Sequence, residues 1–132
     1  MELSSDKTFL LVENLIQKTK KGKLKWHQLI GSVKRKLEDV INGRIIIGYQ
    51  AKQKDVYVGV YLRETEVYNN YYGTYVTNKY VEFFIFNGEN VFIFNDEVYG
   101  WDEEIDGEVF RLYKLAEVNA NNIGTIVDSL LD

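Results

Sequence analysis

The chain contains no cysteine and no proline, and it has a single histidine. Without cysteine there is neither a disulfide framework nor a thiolate metal site, and a reducing compartment suits such a chain. Without proline, one common marker of interdomain linkers is missing. The histidine, His27, has no cysteine to form a dyad and no Gly-x-Ser-x-Gly segment to serve as a triad base. We therefore expect a surface or capping role for it.

Two further absences concern membranes and phosphates. The first residues lack the basic and apolar regions of a secretory signal, and no apolar run approaches the roughly 20 residues of a membrane span. No P-loop or dinucleotide fingerprint is present. These absences predict a cytoplasmic protein without a cofactor. The length of 132 residues and the hydrophobic content of 45% fit one globular domain, residues 1–132.

Apolar residues alternate with a period of two across residues 44–94, which predicts a four-stranded antiparallel meander. Asn87-Gly88 favours a tight hairpin turn between the last two strands, because both residues tolerate a positive φ. Gln53-Lys54-Asp55 fits the turn of the first hairpin. We interpret Tyr68–Gly73 as the loop that joins the two hairpins. The predicted strands are residues 45–52, 56–63, 80–86 and 91–94.

Helical spacing of apolar residues predicts two N-terminal helices before the meander and two C-terminal helices after it. The first helix runs from a cap at Asp6 to about Lys21, and Gly22 ends it. The second ends at Asn42-Gly43, and the third spans about Glu108 to Val118. The stripes that we expect to face inward are Trp26, Ile30, Val33, Leu37, Val40 and Ile41 in the second helix, and Ile123, Ile126, Val127 and Leu130 in the fourth. The prediction is an α+β domain with its helices packed on one sheet face.

Charge is distributed unequally along the chain. Residues 1–54 hold 12 basic and 5 acidic residues, whereas residues 55–132 hold 4 basic and 15 acidic ones. The basic elements are able to neutralise nucleic-acid phosphates, but they equally fit solvated helix faces, and the low pI of about 5.1 argues against a nucleic-acid domain. The candidate nucleic-acid-binding residues are Lys18, Lys20, Lys21, Lys23, Lys25, Lys34, Arg35 and Lys36.

An acidic segment, residues 102–108, partly follows the spacing of a calcium loop. Asp102, Glu104 and Asp106 supply oxygens at alternate positions, and Gly107 follows them. Position 12 of the motif is Tyr113, where a bidentate glutamate is required. A solvated loop before a helix N-terminus explains the acids better than a metal site does.

Tyrosine is concentrated in one part of the chain, with seven of the ten tyrosines between residues 57 and 80. Tyrosine together with asparagine and glycine is typical of binding surfaces, because it offers stiff contact area and adaptable hydrogen bonds. Tyrosine also suits half-buried strands, so a structural sheet face is the alternative. The candidate partner-binding residues are Tyr57, Tyr61, Tyr68, Asn69, Asn70, Tyr71, Tyr72 and Tyr75. A homodimer through this aromatic face is a further interpretation.

Several carboxylates lie on or between the predicted strands, namely Glu64, Glu66 and Glu82, and Asp96-Glu97 follow the last strand. Hydrolysis by paired carboxylates needs two of them at a defined separation in a cleft. The sequence assigns no catalytic residue, and we expect a protein that is not an enzyme. A hydrolase is the third hypothesis, after a protein-binding module and, as the alternative, a nucleic-acid-associated protein that uses its basic helices.

Two segments resemble parts of small proteins from bacterial genomes and prophages. They are Leu15 to Trp26 (LIQKTKKGKLKW) and the closing run with Leu112 to Ala116 (LYKLA), Asn121 to Ile123 (NNI) and Ile126 to Leu131 (IVDSLL). The resemblance implies a context in which such proteins act on other proteins, including as inhibitors of host defence. The leading hypothesis is therefore a protein-binding module or inhibitor that docks through its tyrosines.

Overall fold

The fold combines an antiparallel sheet with helices, and the computed structural model describes residues 5–95 and 102–132. The described helices are α1 (Ser5–Lys20), α2 (Gly31–Glu38), α3 (Glu103–Ala120) and α4 (Ile123–Leu131). The described strands are β1 (His27–Gln28), β2 (Arg44–Gln53), β3 (Val56–Asn69), β4 (Thr74–Phe86) and β5 (Val91–Phe94). The α+β class predicted from the sequence is confirmed.

The sheet has the order β1-β2-β3-β4-β5, with every neighbouring pair antiparallel. The meander is therefore confirmed, but the prediction of four strands missed β1, which pairs with Tyr49 and Gln50 of β2. The turn predicted at Gln53-Lys54-Asp55 is also present, although Gln53 belongs to β2 and only Lys54-Asp55 lie between the strands. The last hairpin closes through a four-residue loop in which Asn87 Oδ1 accepts the backbone N–H groups of Glu89 and Asn90, and not through a two-residue Asn-Gly turn.

Helices cover both faces of the sheet, which corrects the prediction that they share one face. On the first face, α1 and α3 pack over Tyr49, Val60 and Phe83 in the larger apolar cluster. On the opposite face, Val33 and Leu37 of α2 pack with strand residues in a second cluster. The strand residues buried in that second cluster are Ile45, Tyr61, Phe84 and Phe86. Side chains that alternate along β3 and β4 are therefore buried on both sides of the sheet.

Two strand glycines make room for the second cluster. A Cβ on Gly59 would lie 2.1 Å from the ring of Phe84, and a Cβ on Gly48 would lie 2.8 Å from Cδ2 of Leu29. Carbon atoms do not approach this closely without repulsion, so the absence of side chains allows Leu29 and Phe84 to lie flat against the strands.

A β-bulge in β2 changes which face its isoleucines occupy. The register shifts between Ile45 and Ile47, which pair with the adjacent residues Arg63 and Leu62. Ile45 is consequently buried in the second cluster, whereas Ile47 packs against the first. Strict alternation placed both on one face, and the extra residue of the bulge, Ile46, explains the difference.

The end of α1 follows from its glycine. Gly22 has φ of +71°, and the hydrogen bonds Gly22 N to Thr19 O and Lys23 N to Lys18 O form the two-bond helix ending that this conformation permits. Trp26, four residues later, is buried, and its Nε1 donates to Thr19 Oγ1 at 2.9 Å. Its backbone N–H donates to Asn119 Oδ1 of α3 at 2.7 Å. Trp26 therefore fixes the chain against α1 and α3, and it does not begin a helix.

The second predicted helix is shorter than its apolar pattern suggested. Only Gly31–Glu38 is helical, and only Val33 and Leu37 of its residues are buried. Trp26 belongs to the first cluster, while Ile30 and Val40 are exposed. The prediction of one long amphipathic helix from Trp26 to Ile41 was wrong because residues of two different layers happened to share a helical spacing.

The last two helices also differ from their predictions. The acidic segment forms the first turns of α3, where Asp102 Oδ1 accepts the N–H of Ile105, so this helix begins at Glu103 and not at Glu108. Acidic side chains favour this end of a helix through its dipole. In α4, the stripe expected to face inward is exposed, since the helix has no buried residue. The predicted turns at Asp96-Glu97 and Gly100 lie outside the described residues.

Glu108 of α3 lies against Glu13 of α1, where the two helices pack. Hydrogen bonding to Glu13 and burial raise the pKa of Glu108, whose Oε2 is buried without a donor among the described residues. Because the pKa of Glu108 is higher in the folded state than in the unfolded state, folding favours the protonated carboxyl. This contribution to stability is fully present below the unfolded pKa, about 4.3, and is lost as the pH rises through the folded pKa. The melting temperature of the wild type minus that of Glu108→Gln should therefore be larger at pH 5 than at pH 7.

Thermal unfolding at both pH values measures this difference. The matched control is Glu104→Gln, which replaces an exposed glutamate of the same helix and should show no such gain at pH 5. An equal difference between wild type and Glu108→Gln at the two pH values would contradict the raised pKa of Glu108.

Candidate protein-binding surface

Strands β3 and β4 extend beyond both of their neighbours in the sheet. The pairing of β2 with β3 ends at Glu64, and the pairing of β5 with β4 ends at Phe83. Past Glu64, β3 and β4 continue as a two-stranded ribbon from Thr65 to Asn78, which we call the arm. Five residue pairs extend it by about 17 Å. The predicted loop between the hairpins is thus mostly a regular β-ribbon.

The tip of the arm displays two tyrosines. Tyr71 is 89% exposed and Tyr72 is 69% exposed, and their rings meet edge to face at 5.1 Å. Asn69 shapes the loop, because its Oδ1 accepts the N–H of Tyr72 at 3.0 Å and its carbonyl accepts the N–H of Gly73 at 2.9 Å. Gly73 has φ of +66°, which glycine adopts without strain. A defined turn therefore holds both rings outward.

More aromatic surface follows on the strands of the arm. Tyr68 and Tyr75 face each other across the strands with their ring centroids 5.3 Å apart, and they are 51% and 65% exposed. Val67 pairs with Val76 on the alternate side, and Val67 is exposed. Glu66 is the single charged residue between Thr65 and Asn78. The arm is thus an aromatic and nearly uncharged surface.

A buried ion pair lies at the base of the arm. Arg63 donates from Nε and Nη2 to the two carboxylate oxygens of Glu82, at 2.9 and 3.0 Å. The hydroxyl of Tyr61 donates to Glu82 Oε1 at 2.8 Å. Nη1 of Arg63 donates to the carbonyl of Asn42, and its guanidinium stacks over the ring of Tyr80 at 4.6 Å. The network therefore joins both strands at the level where the arm leaves the sheet.

The titration of these groups follows from their surroundings. Burial is the main cause that raises the pKa of Tyr61, and the adjacent Glu82 raises it further, so its hydroxyl remains a donor. The hydrogen bonds to Glu82 raise the pKa of Arg63. Tyr61 and Arg63 therefore both remain hydrogen-bond donors to Glu82 at neutral pH.

The structure brings six of the eight candidate partner-binding residues together on the arm: Tyr68, Asn69, Asn70, Tyr71, Tyr72 and Tyr75. Tyr57 is half-buried beside Phe86 at the other end of β3. Tyr61 is fully buried, so its side chain is not available to a partner, which corrects that assignment. Val67 and Tyr80 were not among the candidates, although both are exposed on or beside the arm.

The candidate nucleic-acid-binding residues fall into two separate groups. Lys18, Lys20, Lys21, Lys23 and Lys25 lie at the end of α1 and in the segment after it, whereas Lys34, Arg35 and Lys36 lie on α2. These two helices pack on opposite faces of the sheet. A continuous basic surface would require both groups on one side of the molecule. None of these residues lies on the arm.

The acidic segment does not form the calcium loop that its spacing suggested. Asp102 caps α3, and Glu104 and Asp106 belong to the helix, so their side chains do not surround one point. Within residues 5–95 and 102–132, no group of three or more His, Cys, Asp or Glu side chains is arranged to hold a metal ion. Acids in a loop and acids in a first helical turn look alike in sequence, so the spacing alone does not distinguish a calcium loop from a helix N-terminus.

A cleft of about 430 Å³ lies between the base of the arm and the start of α3. Its carboxylates come from Glu82, Asp102, Glu103 and Asp106. Glu82 is engaged by Arg63 and Tyr61, and Asp102 caps the helix. The other two are exposed on the first turns of α3. Glu82 and Asp102 therefore both have structural roles.

His27 lies exposed on β1, next to the buried Trp26. Among the described residues, no helix is both long enough and apolar enough to cross a membrane. The sequence matches no protein-family model, and comparisons with curated proteins and with solved structures also give no match. The resemblance of the two segments to bacterial and prophage proteins remains an expectation, and the arm is the basis for a functional proposal.

Proposed function

We propose that this protein is a non-enzymatic binding module that docks on another protein through its arm. The observation that carries the proposal is the exposure of four tyrosines, Tyr68, Tyr71, Tyr72 and Tyr75, on a ribbon that projects beyond the sheet. Exposed aromatic rings grouped on one element favour an interaction site, because scattered apolar residues are ordinary and contiguous ones are not.

The chemistry of the arm favours a protein partner over a nucleic acid. Tyrosine offers an apolar ring with a hydroxyl at its end, and it loses little conformational entropy when it becomes fixed in an interface. Phosphate recognition instead relies on lysine and arginine, and the arm carries neither between Thr65 and Asn78. The expected partner surface is a concave apolar patch with polar groups at its rim.

The test replaces the tip rings and measures partner binding. A tagged form of this protein is first used to capture the partner from the cells in which the protein is expressed. The purified partner is then titrated against each variant. Tyr71→Ser combined with Tyr72→Ser should weaken binding by at least about 30-fold, because central aromatic residues dominate such interfaces. Thermal unfolding should change little, since both side chains are largely exposed.

The matched control replaces two exposed rings elsewhere, with Phe92→Ser and Phe110→Ser. This control should bind the partner as the wild type does. Affinity should also change little between about 50 and 200 mM salt, whereas phosphate binding by lysines would fall by a factor of roughly 10³ or more. Unchanged affinity of the tip variant, with its fold intact, would overturn the proposal.

The resemblance to prophage proteins suggests the first partners to try. We propose that the partner is a component of host defence that this protein inhibits. Supporting this would require that the captured partner loses its activity when the wild type binds and retains it with the tip variant.

A further inference from the structure

We infer that α4 is a self-association surface that pairs with α4 of a second copy of this chain. The apolar residues of α4 are Ile123, Ile126, Val127, Leu130 and Leu131. All five are exposed, from 38% for Ile123 to 80% for Leu130 and Leu131. This surface is separate from the arm, so the inference does not depend on the proposed partner.

The apolar residues form one continuous stripe. At 3.6 residues per turn, Ile123, Ile126, Val127 and Leu130 fall within a narrow arc, with Leu131 at its margin. The opposite side carries Thr125, Asp128 and Ser129. The helix is therefore amphipathic, and none of its residues is buried, although Ile123, Ile126 and Val127 are each covered by about half.

A helix of nine residues is too short to be stable in water by its own hydrogen bonds, since isolated helices need about 12–15 residues to be even marginally stable. The residue before the helix, Asn122, has φ of +52° and makes no side-chain capping bond, so the N-terminus of α4 is also weakly stabilised. Helices of this kind gain most of their stability when the apolar stripe packs against another surface. Among the described residues, α3 contacts α4 but leaves Leu130 and Leu131 80% exposed.

The size and the charge of the stripe fit a second copy. If the exposed parts of these five side chains were fully covered in both copies, the contact would bury up to about 1,000 Å² in total, which is close to the lower limit for a specific interface. In a symmetric antiparallel pair, Asp128 of each copy lies on the outer side, away from the contact. Repulsion between the two carboxylates therefore does not oppose dimerisation. A membrane surface fits less well, because helices that bind anionic lipids carry lysine and arginine on the polar side, whereas the single charged residue of α4 is the acidic Asp128.

Sedimentation equilibrium of the full chain tests the inference with neighbouring substitutions. The wild type should be a dimer with a micromolar dissociation constant. Leu130→Glu places a charge in the contact and should weaken dimerisation by at least about 100-fold. Ser129→Glu adds the same charge on the opposite side of the helix and should remain a dimer. A wild type that stays monomeric at about 100 µM, or a Leu130→Glu variant that still dimerises, would overturn the inference.

A second experiment uses the absence of native cysteine. In an antiparallel pair the middle of the stripe lies next to its own copy at the two-fold axis, so Val127→Cys should form an intermolecular disulfide with oxidised glutathione. Asp128→Cys, on the outer side, should crosslink much more slowly. Faster crosslinking through Asp128→Cys would overturn the assignment of the contact to the apolar stripe.

Discussion

Replacing Glu82 with alanine is expected to lower the free energy of unfolding by about 3–5 kcal/mol. The substitution leaves the guanidinium of Arg63 without its carboxylate partner. Water cannot replace that partner fully, because only 14% of the Arg63 side chain is exposed. It also removes the acceptor of the buried Tyr61 hydroxyl. A buried charge and a buried hydroxyl that lose their partners each retain the full cost of desolvation. Urea denaturation of the wild type and the variant measures the difference.

Companion variants separate the ion pair from general disruption of the strand. Glu82→Gln keeps a neutral acceptor for Tyr61 and should be less damaging than alanine. Glu66→Ala is the matched control, since it removes an exposed glutamate from the same hairpin and should change stability by no more than about 0.5 kcal/mol. If Glu82→Ala costs less than about 1 kcal/mol, the pair at the base of the arm does not have the role described here.

Replacing Trp26 with alanine should destabilise the protein by a similar amount, about 3–5 kcal/mol. Trp26 is 1% exposed within the larger apolar cluster, so the substitution leaves a large cavity between α1, α3 and the sheet. It also removes the donor to Thr19 Oγ1, which lies in a buried environment. Chemical denaturation followed by far-UV circular dichroism measures the loss independently of tryptophan fluorescence.

Two comparisons divide this effect into its parts. Trp26→Phe retains most of the ring but loses the Nε1–H bond, so it should be clearly less destabilising than Trp26→Ala. The adjacent His27→Ala changes an exposed side chain on β1 and should have little effect. Equal losses for Trp26→Ala and His27→Ala would show that the buried contacts of Trp26 do not stabilise the fold as argued.

The features that the sequence predicted correctly depend on neighbouring residues. Alternation identified the strands, and the glycine at position 22 marked the end of α1 because only a few residues adopt its left-handed conformation easily. The turn after β2 was predicted from Gln53-Lys54-Asp55, a polar run between two alternating segments. Such signals are contained within a few residues, so they survive without knowledge of the rest of the fold.

The features that were missed depend on distant residues. Trp26 and Ile30 share a helical spacing with Val33, but their environments are set by α3 and by the sheet, which the local pattern does not contain. The second helical layer depends on Gly48 and Gly59, whose lack of a side chain matters only because Leu29 and Phe84 pack against them in the folded protein. The exposure of α4 similarly depends on which surfaces remain uncovered after folding.

The candidate site was predicted in part, and one further signal was present. Once Asn69 is placed opposite Thr74, counting back along both strands pairs Tyr61 with Glu82 and Arg63 with Tyr80. This register predicts a buried polar network at the base and an aromatic ribbon beyond it. The predicted strands were too short, because threonine, asparagine and glutamate interrupt the apolar alternation between residues 64 and 78.

The 18-residue α3 separates the two exposed elements of the molecule. Its first turns line the cleft beside Tyr80, and Asn119 near its other end holds Trp26, so the helix spans about 27 Å from the base of the arm to the start of α4. Two chains joined at α4 would each keep a free hairpin tip. A target with repeated epitopes would then be held by avidity, with an apparent gain of up to about 10²–10⁴ over one tip, whereas a target with one epitope would show no gain.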